Sequence, residues 1–309
     1  MVISTNHTGD TILSKEERCL WINYLLIVFL SSLIGDTIIL IASMRYNAIK
    51  LNKFLVVVMQ HIAVCGILAS LSIVLSTMIS LIADRWILGD ALAYIQIKSC
   101  TFVGSNVLIC VLTFSKLLLL TYPTKTHWTM KNAHIACACV WFMAVLLSGI
   151  RLSLDENGLI FNAVVYNIDY GIASNYSKRD ERILYTIYAL AVDIPTLAII
   201  ATTFGLMIHL IKSRKVARRT GGDLRCQGLL TVFTTAVVYC AAILPQRIVL
   251  FINLHKKINI VTLDRTVDTL TTLNIISNFY IYSLTLPSFK NFVKSKAIEI
   301  WARLAKSCI

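Results

Sequence analysis

Residues 20–44 read LWINYLLIVFLSSLIGDTIILIASM, and Asp36 is the one charged side chain among them. A helix of about 20 apolar residues crosses the hydrocarbon core of a bilayer, so this stretch predicts a transmembrane span. Later stretches share its length and character. The seven candidate spans are Leu20–Met44, Phe54–Ile82, Ala91–Tyr122, Ala133–Leu152, Ile183–Ile211, Gly228–Leu254 and Val261–Leu284. Because lipid offers the backbone no hydrogen-bonding partners, we predict an all-α chain folded as a seven-transmembrane helix bundle.

The charged residues are few and unevenly placed. They make up 15% of the chain, whereas soluble proteins carry about 25%. The loops after spans one, three and five and the C-terminal segment hold 16 Lys and Arg against 2 acidic residues, and the opposite side, the outer end of span seven included, holds about 10 against 12. Since basic loops remain in the cytoplasm, we predict a multi-pass plasma-membrane protein with an extracellular N-terminus. The net charge of +13 then lies mostly at a membrane face, and we expect no nucleic-acid partner.

The possible modification sites agree with this orientation. The two N-x-[ST] sequons, at Asn6 and Asn175, both lie on the side predicted to be extracellular, where glycosylation occurs. Cys308 lies at the predicted cytoplasmic end, where palmitoylation and an unmodified thiol are both open interpretations. A disulfide between Cys19 and Cys100, both near the predicted outer face, is also conceivable.

The chain divides into three segments. Residues 1–19 form the predicted extracellular N-terminus, residues 20–285 the seven-helix domain, and residues 286–309 an amphipathic helix with a cytoplasmic tail. In the last segment apolar residues recur at helical spacing and basic residues fill the other face. This pattern predicts a helix that lies in the headgroup plane, in contact with membrane lipid.

A series of different short motifs lies along the spans, one after another. They are Gly35-Asp36, Leu51-Asn52-Lys53-Phe54, Trp86-Ile87-Leu88-Gly89, Ser115-Lys116-Leu117 followed by Pro123, then Trp141, Pro195, Tyr239-Cys240-Ala241-Ala242-Ile243-Leu244-Pro245, Asn278-Phe279-Tyr280-Ile281-Tyr282 and Phe289-Lys290. In order and spacing this set resembles the rhodopsin-like (class A) G-protein-coupled receptors across nearly the whole chain. No single motif is specific, and their joint order carries the resemblance.

Several positions depart from the pattern of that family. Lys116 and Ser115 stand where the family has an arginine and its acidic neighbour at the foot of helix three. Phe279 replaces the proline of the helix-seven motif, and Ile243 replaces the helix-six tryptophan. The outer loop Ser153–Arg182 contains no cysteine, so we expect the usual outer disulfide to be absent.

The resemblance implies a heterotrimeric G protein as the partner at the cytoplasmic face. The residues that it assigns to coupling are Lys116, Tyr282, Arg214 and Lys215. The last two belong to the inner loop Lys212–Cys226, which we interpret as the frayed basic ends of helices five and six, facing an acidic partner or anionic lipid. Lysine at position 116 keeps the charge of the family's arginine but loses its planar fork of donors.

A polar network is expected in the middle of the bundle. In the family an acidic residue of helix two helps to hold a sodium ion, and Ile62 takes its place here. Ser105, Asn274 and Asn278 remain, and Asp36 offers a carboxylate. Two interpretations stay open at this point, a sodium-like site and a hydrogen-bond network that joins the helices.

Three ionisable residues in the outer half of the spans form the candidate ligand site. Ionisable side chains are costly inside a bilayer and are therefore functional candidates. Lys98 stands where amine-binding relatives hold an aspartate, which argues against a simple cationic amine. Together with Asp193 and Arg247 it indicates a small anionic or zwitterionic ligand. The alternative is an interhelical pair of Asp193 and Arg247, with Lys98 reaching to the headgroups.

Other functions fit the sequence less well. We expect no catalytic residues, no metal site and no cofactor, because no His/Cys/Asp cluster has metal-binding spacing and span seven has Thr271 and Thr272 where an opsin has its lysine. The leading hypothesis is a receptor that binds an extracellular ligand and activates a G protein. A decoy or scaffold receptor that no longer couples is the alternative, and a transporter is a less favoured one, since no inverted repeat is visible.

Overall fold

The computed structural model of the chain describes residues 15–45, 52–83, 91–122, 129–154, 159–162, 167–170, 183, 186, 189–220, 223–256 and 261–307. Long helices account for almost all of them. The helices are α1 Lys15–Met44, α2 Lys53–Ala83, α3 Ala91–Thr121, α4 Met130–Leu154, α5 Ile194–Thr220, α6 Asp223–Lys256, α7 Val261–Thr285 and α8 Pro287–Ser307. The prediction of a seven-helix bundle followed by a short helix is confirmed.

The bundle is arranged around α3. This helix contacts α2, α4, α5 and α6, while α1 packs between α2 and α7, and α8 packs against α7 and α1. We call the end of the bundle that carries α8 the α8 face. Helices α1, α3, α5 and α7 end there, and α2, α4 and α6 begin there.

The outside of the bundle is apolar, as a lipid-facing surface requires. Within the described residues, α1, α2 and the ranges Gln96–Thr121 and Met130–Ile150 are each long and apolar enough to cross a membrane, and shorter apolar helices lie at Ile194–His209 and Leu229–Pro245. Just before and along α5, large exposed side chains recur at intervals of three, four or seven residues and so form one stripe. The stripe consists of Leu190, Ile194, Leu197, Phe204 and Ile208.

Two π-helical turns interrupt the helical ladder. One, Ser70–Val74, lies within α2, and the other, Ala189–Asp193, immediately precedes α5. The second turn ends two residues before Pro195, which has no N–H to donate to the preceding turn. In α2, the hydroxyl groups of Ser72 and Thr77 donate to the carbonyl oxygens of the residues four positions earlier, at 2.6 and 2.8 Å. These bonds pair backbone carbonyl groups at the π turn Ser70–Val74 and just before it.

One feature of the connections differs from the expectation. Inside the outer loop, β1 (Leu159–Asn162) pairs with β2 (Asn167–Tyr170) as an antiparallel hairpin in the register Leu159↔Tyr170, and β2 lies near the end of α2 at Ala83. The inner segment Lys212–Cys226, interpreted from sequence as the basic ends of two helices, is largely helical: α5 continues to Thr220 and α6 begins at Asp223. Its Lys, Ala and Arg residues are good helix formers and extend both helices.

Candidate functional site

Three predicted site residues share one face of α3. Lys98 and Lys116 are 18 residues apart, which is five helical turns and about 27 Å along the axis. Ser105 lies between them on the same face, and its hydroxyl donates to the carbonyl oxygen of Phe102 at 3.0 Å. Both lysine side chains are half-buried. A single face of α3 therefore carries one cation toward each end of the bundle.

Lys116 lies at the α8 face without a bonded partner. Among the described residues no side chain forms a hydrogen bond or an ion pair with it. Its neighbour Ser115 is buried in the bundle and is uncharged, so it gives Lys116 no counter-charge. A Cβ added at Gly205 of α5 would lie 3.1 Å from the methyl carbons of Leu117, which shows how closely α5 braces the foot of α3.

An aromatic cluster joins α7 to α8 beside this foot. Tyr282 is fully buried, and its hydroxyl has no hydrogen-bond partner among the described residues. Its ring packs edge-on against Phe289 at 6.4 Å between centroids, and Phe279 does the same at 6.0 Å. Phe279 also contacts α1 so closely that a Cβ at Gly35 would lie 2.7 Å from its own Cβ. Phe279, which stands in place of the family's proline on α7, thus packs against both α1 and α8.

The carboxylate of Asp36 is the centre of a second polar site, between α1 and α2. It is 1% exposed and accepts a hydrogen bond of 2.9 Å from the Ser32 hydroxyl, one turn earlier in α1. The Ser70 hydroxyl, on α2, donates to Ser32 at 2.6 Å. A Cβ at Gly66 would lie 2.1 Å from Oδ2 of Asp36, so only glycine leaves room for the carboxylate at this crossing.

This cluster differs from the predicted network of Asp36, Ser105, Asn274 and Asn278. Within the part of the chain that the structure describes, no hydrogen bond connects Asp36 with the other three. Asn274 accepts a long bond of 3.4 Å from Ser277 in its own helix, and Asn278 is buried. The sequence analysis missed both serine partners of Asp36. Ser32, four residues before it on the same face of a helix, is the signal that was available.

A third polar site lies between α3 and α5. The side chain of Asn106 is completely buried, and neither atom of its amide has a partner among the described residues. Thr113 follows two turns later on the same face, and its hydroxyl lies 3.1 Å from that of Thr202 on α5. Thr196 lies six residues before Thr202 on the parallel helix, at about the depth of Asn106, and its buried hydroxyl is also unpaired. An asparagine in the middle of an apolar span could have been noticed from sequence.

Of the three candidate ligand residues, the structure describes the side chains of Lys98 and Asp193. Asp193 is exposed and lies three residues after Leu190 and four before Leu197, in the lipid-facing stripe of α5. Lys98 lies in the interior helix α3. Arg247 belongs to α6, two residues after Pro245, and its side chain is outside the described residues, as are those of Arg214 and Lys215 on α5.

The remaining sequence-based sites give a mixed outcome. Asn6, Asn175 and Cys308 lie outside the described residues. Cys19 and Cys100 are both free thiols, so the conceivable disulfide between them does not form. Cys100 is buried in a cluster with Ala144, Leu147 and other apolar residues, whereas Cys19 is exposed on α1. In the described part of the chain no three acidic, histidine or cysteine residues could hold a metal ion.

The arrangement described so far can be compared with known proteins. The family model for the seven-transmembrane receptors of the rhodopsin family matches residues 35–286. The chain belongs to this family. It is therefore a multi-pass membrane protein and, in general terms, a G-protein-coupled receptor. Comparison with curated proteins by sequence gives no match.

Among solved structures the receptor is similar to squid rhodopsin. The two share 13% sequence identity with a TM-score of 0.79, and the similarity covers 97% of this chain and 91% of that one. At this identity the likeness shows the fold alone. The α7 sequence of this receptor contains no lysine, so the residue that an opsin needs to attach retinal is missing.

Proposed function

We propose that the receptor binds a small extracellular ligand between its helices and activates a heterotrimeric G protein at the α8 face. The observation that carries this proposal is the pair of half-buried lysines, Lys98 and Lys116, at opposite ends of one face of the central helix. Charge at one end suits a ligand, and charge at the other suits a protein partner. Helix α3 connects both ends rigidly.

The orientation belongs to the same proposal. The basic loops at the α8 face support a cytoplasmic location of that face in the plasma membrane. Epitope tags at each terminus, stained in intact cells, test it, and a C-terminal tag that stains without permeabilisation would reverse the orientation. Asn6→Gln and Asn175→Gln should each remove one glycan and shift the band of the receptor on a gel, and Cys308→Ser should remove palmitate labelling.

The ligand class follows from the cations of the outer half. Lys98 is half-buried in the interior helix, and ionisable side chains within a bilayer are functional candidates, so we propose it as a contact for an anionic or zwitterionic ligand. Arg247, on α6, is the second proposed contact. Asp193 receives the least support of the three, since it lies in the lipid-facing stripe. Lys98→Met and Arg247→Met should weaken agonist potency at normal surface expression, and unchanged potency for both would make these charges structural.

Lys116 carries the coupling part of the proposal. Lys116 bonds to none of the described side chains, so its charge is available to carbonyl or carboxylate oxygens of the G protein, and hydrogen bonds to charged groups contribute about 1.5–3 kcal/mol each. Tyr282 on α7 and Arg214 and Lys215 on α5 are the other proposed coupling residues. Lys116→Ala should reduce G-protein activation sharply, and Lys116→Arg should preserve or increase it.

The exposed Lys294 of α8 is the matched control, because Lys294→Ala removes the same charge at the same face away from α3. Nucleotide exchange on purified G protein is the readout. The non-coupling alternative rests on the buried Ser115, which gives Lys116 no acidic neighbour. A parent receptor that remains silent, together with a silent Lys116→Arg variant, would favour a decoy or scaffold receptor.

A further inference from the structure

Three short contacts between oxygen atoms follow one another through the crossing of α1 and α2. Oδ2 of Asp36 lies 2.9 Å from Oγ of Ser32, and that Oγ lies 2.6 Å from Oγ of Ser70. The Ser70 Oγ also lies 2.8 Å from the carbonyl oxygen of Gly66. Hydrogen bonds between oxygen atoms are about 2.5–3.0 Å long. Each contact therefore has the length of a full hydrogen bond and needs a proton between its two oxygens.

The two serines cannot supply all of these protons. A hydroxyl group has one hydrogen, so Ser32 and Ser70 bring two protons to three contacts. The Gly66 carbonyl brings none, and an ionised carboxylate is only an acceptor. If Asp36 were ionised, the single Ser70 proton would have to serve both Ser32 and Gly66. One of those two short contacts would then consist of two oxygens with no proton of their own between them.

A proton on Asp36 completes the count. Asp36 then donates to Ser32, Ser32 donates to Ser70, and Ser70 donates to the Gly66 carbonyl. This order reverses the direction of the two bonds that a carboxylate would form with the same serines. It also gives Ser70 the bond to a carbonyl oxygen four residues earlier that hydroxyl groups commonly form in helices. Ser72, further along α2, forms a bond of this kind at 2.6 Å.

The surroundings of the carboxyl group favour its neutral form. Asp36 is 1% exposed, and Ser32 is the one described side chain that forms a hydrogen bond with it. The titratable side chains that interact electrostatically with it, among the residues that the structure describes, are Cys65 on α2 and Tyr282 on α7. Neither of them is a cation. Proteins pair or neutralise a buried charge because an uncompensated one is costly.

We infer that Asp36 binds a proton at neutral pH, and that the neutral acid, rather than a carboxylate or a sodium ion, joins α1 to α2. The oxygens of Ser32 and Ser70 each accept one bond and donate one bond within this chain, so a sodium ion would have to displace them. The proton site involves neither the ligand nor the G protein. Its test and the coupling test can therefore fail independently.

Infrared spectroscopy of the full-length receptor in nanodiscs tests for the proton directly. A protonated carboxyl group has a carbonyl stretching band that a carboxylate lacks. The spectrum of the parent at neutral pH should contain this band, and that of Asp36→Asn should lack it. The control Glu16→Gln removes an exposed carboxyl group from the first turn of the same helix and should leave the band in place. A parent spectrum without a band that depends on Asp36 would overturn the inference.

Ser32→Ala provides a second test that remains available if Asp36→Asn does not fold. It retains the acid but removes the acceptor of its proton, so the band should persist at a shifted frequency. Ser72→Ala removes a hydroxyl group that bonds within its own helix, and it should leave the frequency unchanged. The same frequency in Ser32→Ala and in the parent would overturn the inference.

Thermal unfolding at a series of pH values gives an independent readout. Unfolding exposes Asp36 to water, where it releases its proton, so the unfolding equilibrium of the parent should shift toward the unfolded state by about tenfold per pH unit. Asp36→Asn has no such proton but retains Cys65 and Tyr282, so its melting temperature should fall less as the pH rises. Parallel curves would overturn the inference. Stabilisation by sodium chloride over choline chloride, in the parent but not in Asp36→Asn, would also overturn it.

Discussion

Two buried polar regions of the bundle differ in how fully their groups are paired. The α1–α2 cluster consists of Ser32, Asp36 and Ser70, and its hydrogen bonds form a continuous chain between two helices. The α3–α5 face consists of Asn106, Thr113 and Thr202, and the buried Thr196 lies on α5 at about the depth of Asn106. There only the two inner threonines meet, and the asparagine amide and the Thr196 hydroxyl have no partner among the described residues.

This difference in pairing indicates which helices of the receptor stay together and which can rearrange. A buried polar group without a partner is costly, so a state in which it gains one is favoured by that amount. The α1–α2 cluster has nothing to gain from movement, and Gly66 and Gly35 let α1 pack tightly on both sides. The α3–α5 face can gain bonds when the helices shift or admit water. We therefore expect activation to move α5 relative to α3 and to leave α1 with α2.

The largest effect is expected at the closest contact of the α1–α2 cluster. Gly66→Ala places a methyl group where Oδ2 of Asp36 now lies, so the carboxylate must leave its serine partner or the helices must separate. Overpacking of this kind costs about 1–3 kcal/mol. Thermal unfolding of the receptor in nanodiscs, followed by circular dichroism, measures the loss.

Gly149→Ala is the control for that measurement. A Cβ at Gly149 of α4 would lie 4.0 Å from the Gln96 amide nitrogen, which is an ordinary contact. Its melting temperature should stay close to that of the parent. Equal melting temperatures for the Gly66 variant and the control would mean that the α1–α2 crossing is less tight than its geometry indicates.

The second prediction concerns the unpaired asparagine of the α3–α5 face. Asn106→Leu replaces an amide of similar size by an apolar group, and removal of an unsatisfied buried amide should stabilise the inactive receptor by about 1–2 kcal/mol. The same change should lower ligand-independent G-protein activation, because the bonds that favour rearrangement are lost.

Asn106→Asp is the opposite change at the same position. It buries a charge and should destabilise the receptor. A melting temperature of Asn106→Leu below that of the parent would contradict the view that the Asn106 amide is unpaired. It would mean that the amide already has a hydrogen-bond partner, for example an ordered water molecule.

The smallest effect is expected from the hydroxyl that links α1 with α2. Ser70→Ala removes the bond to Ser32, and interhelical hydrogen bonds in membranes contribute about 0.6 kcal/mol on average. Ser72→Ala, two residues further along α2, removes a hydroxyl that bonds to a carbonyl of its own helix. The first variant should melt slightly below the second, and the reverse order would remove Ser70 from the cluster.

Much of the fold could be predicted because lipid imposes a strong rule on sequence. Each span had to be long, apolar and helical, so the helix boundaries differ from the predicted spans by a few residues at most ends. The hairpin at Leu159–Tyr170 escaped prediction, since its strands of four residues carry too short a pattern to recognise. The basic segment was interpreted from sequence as the ends of helices five and six, and α5 and α6 do extend into it.

The candidate site could be predicted only in part, because a residue's type does not reveal its neighbours. The polarity of Asp36 was visible in sequence, but its serine partners follow from the angle at which α1 and α2 cross. The polarity of Asp193 was equally visible, yet its exposure follows only from the π-helical turn that precedes α5. Asn106 was overlooked, since one polar residue in an apolar span looks neutral until its surroundings are known.

By itself the sequence determined the number of spans, the helical class, the charge asymmetry and the cation near each end of α3. These follow from hydropathy and from the 3.6-residue period, which are properties of single segments. The contacts between helices, such as those among polar groups and those of Phe279 with α1 and α8, became known only from the tertiary structure. Those features depend on where separate helices touch. Within a bilayer a helix can cover its apolar surface equally well with lipid or with another helix, so close packing and hydrogen-bond geometry decide which helices meet.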